Sequence, residues 1–530
     1  MASPNRRTGR HGHKHDYSVG PNANVPRSMF DRTFTRKQTL EKAGFIYPFF
    51  ADFMFPGDVF KMRSTFIVRM ATPIHPLMDG LHADVHYWVV PCRILWKNWI
   101  RFMGAQDDPA DSTDYTIPQV STVTGYTSLG LGDYLGLPIG VPDMSTSALW
   151  HRAYNKIWNW GYRNQNLSDS LYDPDDDGPD DVAQYGPRRR QKRGDYFTTC
   201  LPWPQKGDAV SLPLGTEAPV LGIGTSTHVY GSGVTVRESD GTSTFYQAEL
   251  SNINSSLEVE EDPDNAGYPH IRADLQNATG ATINELRQAA VVQRILERDA
   301  RSGTRITEVI FAQFRVTVPD YRAQQPEYVG GGSFRINASA VPQTSSTDAT
   351  TPQGNLGAFA VGSGSAGFTY SAVEHMVVLG LISVRADITY QQGIPRQFLW
   401  KTRYDFYTPD MQGLGEQAVQ NQEIFAQGSV DPTADISAFG YQERFAELRT
   451  KNSEICGLFR SGAASSLHAW HLAQDFANLP TLNETFIQET PPIERVVAVP
   501  SEPHFWMDSV HSFRCARPLG TYGTPGINRL

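Results

Sequence analysis

The sequence predicts a mainly β protein, an antiparallel sandwich with long inter-strand insertions and a few helices. Segments at 58–70, 83–90 and 384–390 alternate apolar and polar residues with a period of two, as half-buried strands do. The chain of 530 residues also contains 45 Gly and 35 Pro, which indicates frequent chain reversals. Because helices and long loops separate these segments, they do not form a repeating βαβ unit, and the sandwich is favoured.

The strand predictions rest on individual residues. Within 58–70, Phe66 shares the apolar face with its alternate neighbours. The strand at 83–90 is expected to end at Pro91, since proline cannot donate a hydrogen bond to a ladder. The last segment alternates from Val384 to Tyr390. Each segment needs a partner sheet to bury its apolar face, so both halves of the chain should contribute to one fold.

Two helices are predicted between the strands. One spans Asn284 to Ala300 and opens with the capping-box residues Thr282 and Glu285. The other spans about Ser147 to Trp160 and carries aromatic residues four positions apart, which are Trp150, Tyr154 and Trp158. Such a stripe could stack unpaired bases, but more often it packs in a core or between subunits. We predict a subunit interface for these three residues.

The expected organisation is a tail followed by one domain. Residues 1–27 are basic and almost devoid of apolar side chains, so they are predicted to form a flexible N-terminal tail. Residues 28–530 are predicted to form a single domain. Two stretches rich in small polar residues, at about 216–280 and about 337–370, are predicted to be an inserted protrusion loop and a second variable loop.

Charge limits how this chain could bind nucleic acid. Its 46 Lys and Arg against 56 Asp and Glu give a formal net charge of −10, so contact with a polyanion requires local basic patches. The predicted nucleic-acid contacts are Arg6, Arg7, Arg10, Arg188, Arg189, Arg190, Lys192 and Arg193. The alternative is that the run at 188–193 is a solvated loop, neutralised by the acidic run at 173–181.

No catalytic, cofactor or metal site is expected. Asp173–Gly178 resembles the opening of a calcium loop, but Gln184 stands where a bidentate glutamate is needed. Walker, His-Glu-x-x-His and Gly-x-Ser-x-Gly patterns do not occur in the sequence. The 4 cysteines lie far apart, which indicates reduced thiols matured in a cytosol. No apolar run reaches the roughly 18 residues that span a bilayer.

Longer strings are more specific than any of these patterns. They occur in one order from about 28 to 526, and examples are Ala43-Gly-Phe-Ile-Tyr-Pro48, Ala71-Thr-Pro-Ile-His-Pro76, Asp195-Tyr-Phe-Thr-Thr-Cys-Leu-Pro-Trp-Pro-Gln-Lys-Gly207, Pro326-Glu-Tyr-Val-Gly-Gly-Gly-Ser333 and Tyr522-Gly-Thr-Pro-Gly526. This series resembles the major capsid proteins of gokushovirus-type microviruses, small single-stranded DNA bacteriophages. It departs from them at the C-terminal end, Gly526–Leu530, and in the variable stretches.

The resemblance implies an eight-stranded antiparallel jelly roll of the viral capsid type over 28–530, and a structural protein that is not an enzyme. It implies self-assembly, via pentamers, into an icosahedral T=1 shell of about sixty copies around a circular single-stranded DNA genome.

The partners implied are a small basic DNA-packaging peptide, a minor pilot protein, a scaffolding protein and a host receptor, with 216–280 as the attachment loop. The location implied is the virion, assembled in the host cytoplasm. The alternative from another class is a carbohydrate-binding or carbohydrate-active β-sandwich protein.

Overall fold

The computed structural model describes residues 26–210, 220–221, 223–225, 257–259, 264, 271–273, 283–345 and 353–522. The chain divides into two compact units, one made of Met1–Pro204 and Ser302–Leu530 and the other of Gln205–Arg301. Arg6, Arg7 and Arg10 of the predicted tail lie outside the described residues, as does most of the predicted protrusion loop at 216–280. The single-domain interpretation of 28–530 stays a prediction.

Strands dominate the described residues. They are β1 Ser28–Asp31, β2 Phe34–Leu40, β3 Phe45–Met54, β4 Val59–Met70, β5 Leu81–Pro91, β6 Gln119–Thr122, β7 Met144–Ser147, β8 Asp180–Asp181, β9 Arg188–Arg189, β10 Val220–Leu221, β11 Ile223–Thr225, β12 Leu257–Val259, β13 Arg272–Ala273, β14 Glu327–Pro342, β15 Leu356–Ser371, β16 Met376–Ala386, β17 Thr389–Tyr390, β18 Glu416–Gln420, β19 Ala438–Glu443, β20 Ser453–Glu454 and β21 Phe505–Arg517.

The helices are shorter and lie between strands. They are α1 Cys92–Leu95, α2 Trp99–Phe102, α3 Leu131–Leu135, α4 Leu149–Gly161, α5 Ile283–Arg301, α6 Ile306–Phe314, α7 Pro432–Ile436 and α8 Glu484–Ile487. α4 and α5 match the two helices predicted from the sequence to within about two residues at each end.

The long strands form one antiparallel path in the order β2–β21–β4–β15–β14–β5–β16–β3. Strands from both ends of the chain are neighbours in this path, since β21 pairs with β2 on one side and with β4 on the other. Such pairing between distant strands is typical of a jelly roll. The predicted class, a mainly β antiparallel jelly roll, is confirmed.

The inner face of this path encloses the main core. β4 alternates strictly between buried and exposed residues, so one face of the strand packs inward while the other stays outside. The Phe49 ring lies edge-on to the Phe66 ring at 5.1 Å and to the Tyr87 ring at 5.5 Å. Burial of each such ring stabilises the fold by about 1.5–3 kcal/mol.

A second layer covers the outer face of β5 and β16. Tyr154, Ile157 and Trp158 of α4 belong to a cluster that includes Val377 and Leu379 of β16. Every residue of β16 is therefore buried, and the strand is a nearly continuous apolar run. The alternation at 384–390 predicted only its end, because β16 begins at Met376 and stops at Ala386.

The prediction of a variable loop at 337–370 is wrong for most of that range. These residues belong largely to β14 and β15, which pair along their length. Small residues are needed there because the two strands lie close: a Cβ added at Gly364 would come 2.4 Å from the Phe334 ring, and one at Gly362 would come 2.8 Å from the Arg335 carbonyl oxygen. The composition reflects close packing between strands.

A buried histidine lies inside the main core. His511 Nδ1 is 2.7 Å from the Ser64 hydroxyl, Nε2 is 2.9 Å from the Ser509 hydroxyl, and the imidazole stacks on Phe34 at 4.5 Å. Burial, reinforced by the positive charge of Arg36, lowers the pKa of His511 to about 4. The folded protein therefore holds this side chain neutral at neutral pH.

We predict that acidification destabilises the fold partly through His511. The folded pKa of about 4 lies below the unfolded value of about 6.5. The stabilisation by the neutral imidazole is therefore complete above about pH 6.5 and is lost as the pH falls from about 6.5 to about 4. The loss should be about 2 kcal/mol by about pH 5. Urea unfolding of the wild type and of His511→Gln, measured above about pH 6.5 and again at about pH 5, checks this prediction. An equal pH dependence in the two proteins would contradict it.

Candidate functional site

The aromatic stripe of α4 packs within its own chain. The Tyr154 hydroxyl donates to the Ile46 carbonyl at 2.8 Å and accepts from the Arg188 backbone N–H at 2.9 Å. Trp158 Nε1 donates to the Arg189 carbonyl at 2.8 Å. Tyr154 and Trp158 are buried, and Trp150 alone of the three retains partly exposed surface. This differs from the predicted subunit interface, because two of the three side chains already have their contacts inside the chain.

The basic run at 188–193 is also engaged internally. Arg189 Nη1 donates to the Glu489 carbonyl at 2.9 Å, and its guanidinium lies 4.4 Å from the centre of the Phe45 ring. The Lys192 ammonium lies 4.5 Å from the centre of the Phe486 ring, and burial lowers the pKa of this lysine. Of the five cations in the run, Arg193 is the one whose side chain is exposed. Four of the five cations that were predicted to contact nucleic acid in this segment are therefore wholly or partly buried within the chain.

Asp84 binds Arg190, which lies in the middle of the basic run. Its Oδ2 accepts from Arg190 Nη1 at 2.7 Å and from Arg385 Nε at 2.9 Å, and its Oδ1 accepts from the Ser333 hydroxyl at 2.6 Å. Burial acts to raise the pKa of Asp84, but the hydroxyl and the two guanidinium groups outweigh it and hold the pKa below its usual value. One carboxylate thus joins β5, β14 and β16 to the segment after β9.

Arg152 and Lys156 of α4 pair with three carboxylates of the acidic run at 173–181, and no described ion pair joins this run to the basic run. The Arg152 guanidinium donates to both oxygens of Asp180, at 2.8 and 2.6 Å, and to Asp176 at 3.2 Å. Lys156 Nζ donates to Asp173 at 2.8 Å. Arg152 and Asp180 are both fully enclosed, which makes this bidentate pair a rigid link between α4 and β8.

Across the described residues no group of three or more His, Cys, Asp or Glu side chains is placed to hold a metal ion. No described helix is both long enough and apolar enough to cross a bilayer.

Two exposed apolar surfaces were not predicted from the sequence. In α6 none of the residues is buried, and Phe314 is 70% exposed. The loop at 398–414 exposes several large side chains, which are Phe398, Tyr404, Phe406, Tyr407 and Leu414. Contiguous exposed apolar residues mark interaction sites in soluble proteins. The signal for α6 was present in its sequence, since six of the nine residues in Ile306–Phe314 are apolar. We call these two segments the apolar surfaces.

Known proteins resemble this chain over nearly its whole length. The model of a family described as "Capsid protein (F protein)" matches residues 18–527. "Capsid protein VP1" of Bdellovibrio phage phiMH2K is 42% identical, with 97% of each chain covered. "Capsid protein VP1" of Chlamydia phage 1 is 37% identical, with 98% of each covered, and that of Spiroplasma virus 4 is 33% identical, with 97% and 98% covered. The resemblance recognised in the sequence is confirmed.

We predict that Asp84→Ala lowers the free energy of unfolding by about 3–5 kcal/mol, because it leaves two guanidinium groups without their buried acceptor. Asp387→Ala is the matched control: its side chain is 53% exposed and contacts the same Arg385 at 3.5 Å. That change should cost less than about 1 kcal/mol. Chemical denaturation of the three proteins measures both values. Equal losses in the two variants would show that Asp84 is no special link.

Proposed function

The chain belongs to the phage capsid protein (F protein) family, and from this premise we propose that it builds a closed T=1 icosahedral shell of about sixty copies, via pentamers, around a circular single-stranded DNA genome. Its role as a capsid protein is structural and not enzymatic. The observation that carries the proposal is the family match over residues 18–527, with relatives covered over 97% or more of both chains.

The apolar surfaces support self-assembly. A side chain such as Phe314 or Phe398, each at least 70% exposed, stabilises a protein only when a neighbour covers it. In a shell built from identical subunits, each copy supplies that neighbour. Burial of such surfaces around a closed ring would be the main favourable term for assembly, as in other protein interfaces. The partly exposed Trp150 belongs to the same proposal.

The remaining partners are those implied by the resemblance to gokushovirus-type capsid proteins, and the net charge supports one of them. With a net charge of −10, the subunit cannot retain DNA by average attraction, so we propose a small basic packaging peptide beside it. A minor pilot protein and a scaffolding protein belong to the same proposal. Cys456 is exposed and free, and the other three cysteines are also unpaired, which suits assembly in a reducing host cytoplasm.

Host attachment is proposed for the insertion at 216–280. The insertion belongs to the unit Gln205–Arg301, whereas the long strands belong to the other unit, so we expect its sequence to vary without changing those strands. We propose that it contacts a host-surface receptor. Nucleic-acid contact by Arg6, Arg7 and Arg10 of the tail also remains a proposal.

Assembly is tested with the purified full-length protein. We expect closed particles of uniform size by electron microscopy and sedimentation, and we expect Phe314→Asp with Phe398→Asp to give a folded subunit that does not close into shells. Val430→Asp is the control, because Val430 is 84% exposed and lies outside the apolar surfaces. A wild-type protein that stays monomeric would contradict the proposal, and glycan binding by that monomer would favour the carbohydrate-binding alternative.

The attachment role is tested by deleting residues 220–275 and joining the ends with a short Gly/Ser linker. Shell assembly should be retained, because the long strands of the sheet are intact, while adsorption of phage to host cells should be lost. The measurement is the fraction of particles left unbound after incubation with cells. Unchanged adsorption would exclude the receptor role, and failed assembly would assign this segment to the shell itself.

A further inference from the structure

One part of the sheet has an uncovered outer face. In β4 every second residue from Lys61 to Arg69 is exposed, while the residues between them are buried in the main core. The same alternation holds in β21, where Trp506 to Arg514 are exposed at alternate positions. Since directly paired residues of antiparallel strands point to the same side, these rows form one continuous surface with those of β2, β15 and β14. α4 covers the corresponding face of β5 and β16.

Cations concentrate on this uncovered face. The exposed cations are Lys37, Lys61, Arg63, Arg69, Arg335 and Arg514. The carboxylates in the same rows are Asp31 and Asp508. This local excess of positive charge stands in a chain whose acids outnumber its bases by 56 to 46. We call the six cations and the strands that carry them the basic sheet face.

In the described part of the chain none of the six cations has a carboxylate oxygen within 4.0 Å, and the nearest carboxylates in the register are Asp31, opposite Arg514, and Asp508, opposite Lys37. Lys61 stands directly opposite Arg514 in the register of β4 and β21. Like charges placed directly opposite in a sheet destabilise it. Elsewhere in the chain, the buried cations Arg152 and Arg385 each have an aspartate partner. An external anion would remove this repulsion.

The same face also offers groups that bind nucleic acid without charge. Trp506 lies opposite Arg69 and is 38% exposed, so part of its indole ring is accessible to a base. A depression of about 870 Å³ is lined by Lys37, Arg69 and Trp506, and also by Asp133 and Asp508. Exposed hydroxyl groups, which donate hydrogen bonds to phosphate oxygens, come from Thr65, Ser363, Ser365, Thr369 and Ser512.

We propose that the basic sheet face binds single-stranded DNA, with phosphates along Lys61, Arg63 and Arg514 and an unpaired base on Trp506. The ligand is single-stranded because stacking on Trp506 requires a base face that a duplex does not offer. This inference rests on the proposed function and specifies where the subunit meets the genome. It moves the main contact away from the run at 188–193, whose cations mostly have partners inside the chain.

Binding is measured by fluorescence anisotropy of the full-length protein with a labelled single-stranded oligonucleotide over a series of salt concentrations. The combined variant Lys61→Gln, Arg63→Gln and Arg514→Gln should bind at least about 10-fold more weakly at low salt. Its slope of log affinity against log salt should fall by about 2, since each lost phosphate contact removes about 0.7. Without DNA, its melting temperature should equal or exceed that of the wild type, because repulsion is relieved.

The matched control is Lys97→Gln, Arg322→Gln and Lys451→Gln, which removes three exposed cations outside the sheet and outside the apolar surfaces. It should keep wild-type affinity and slope. Trp506→Ala should weaken binding of the single strand more than binding of a duplex of the same sequence. Should the combined variant fold poorly, Lys61→Gln alone at its exposed site gives the same comparison, with a slope change of about 0.7.

Wild-type affinity in the combined variant, or an equal loss in the control, would overturn the inference. The particles separate this failure from failure of the proposed function. If variant shells assemble and contain the normal amount of DNA, the basic sheet face is wrong and the capsid role stands. If the wild type forms no shells, the proposed function fails, while the oligonucleotide measurements still decide whether this face binds single-stranded DNA.

Discussion

The layer that covers β5 and β16, formed by α4 and the segment after β9, depends on the ion pairs of the buried Asp84 carboxylate. Asp84 lies in the middle of β5 and fixes Arg385 of the neighbouring strand and Arg190 of the segment that follows β9. Once Arg190 is fixed, the backbone of 188–189 is placed to bond the side chains of Tyr154 and Trp158. Their helix then covers β5 and β16, which explains why β16 is buried along its whole length.

This cover divides the sheet into two regions with different surface chemistry. Among the enclosed charges, Arg152 pairs with Asp180 and Arg385 pairs with Asp84, because an unpaired buried charge is too costly. On β4 and β21, water solvates the outward residues, and cations can stand beside one another at a modest cost. Whether an arginine side chain has a carboxylate partner within 4.0 Å therefore depends on whether its strand is covered.

The sequences of β4 and β5 allowed both strands to be predicted, because apolar and polar residues alternate over about ten residues in each of them. The partners of the basic run could not be found in this way, since Asp84 is 106 residues from Arg190 and Glu489 is 300 from Arg189. Composition was misleading at 337–370, where small residues serve strand pairing and not a loop. The uncovered cations were visible in the alternation of β4, but only the register showed that they adjoin those of β21.

The position of β21 brings the last described strand beside the first two. Its Ser509 hydroxyl donates to the Arg36 carbonyl, 473 residues earlier, and the strand fills the gap between β2 and β4. During synthesis both edges of that gap stay open until residues 505–517 have left the ribosome, so the sheet can be completed only after β21 is made. A chain truncated before Phe505 would keep two unpaired strand edges, at β2 and at β4. Synthesis of β21 is therefore a condition for a continuous sheet.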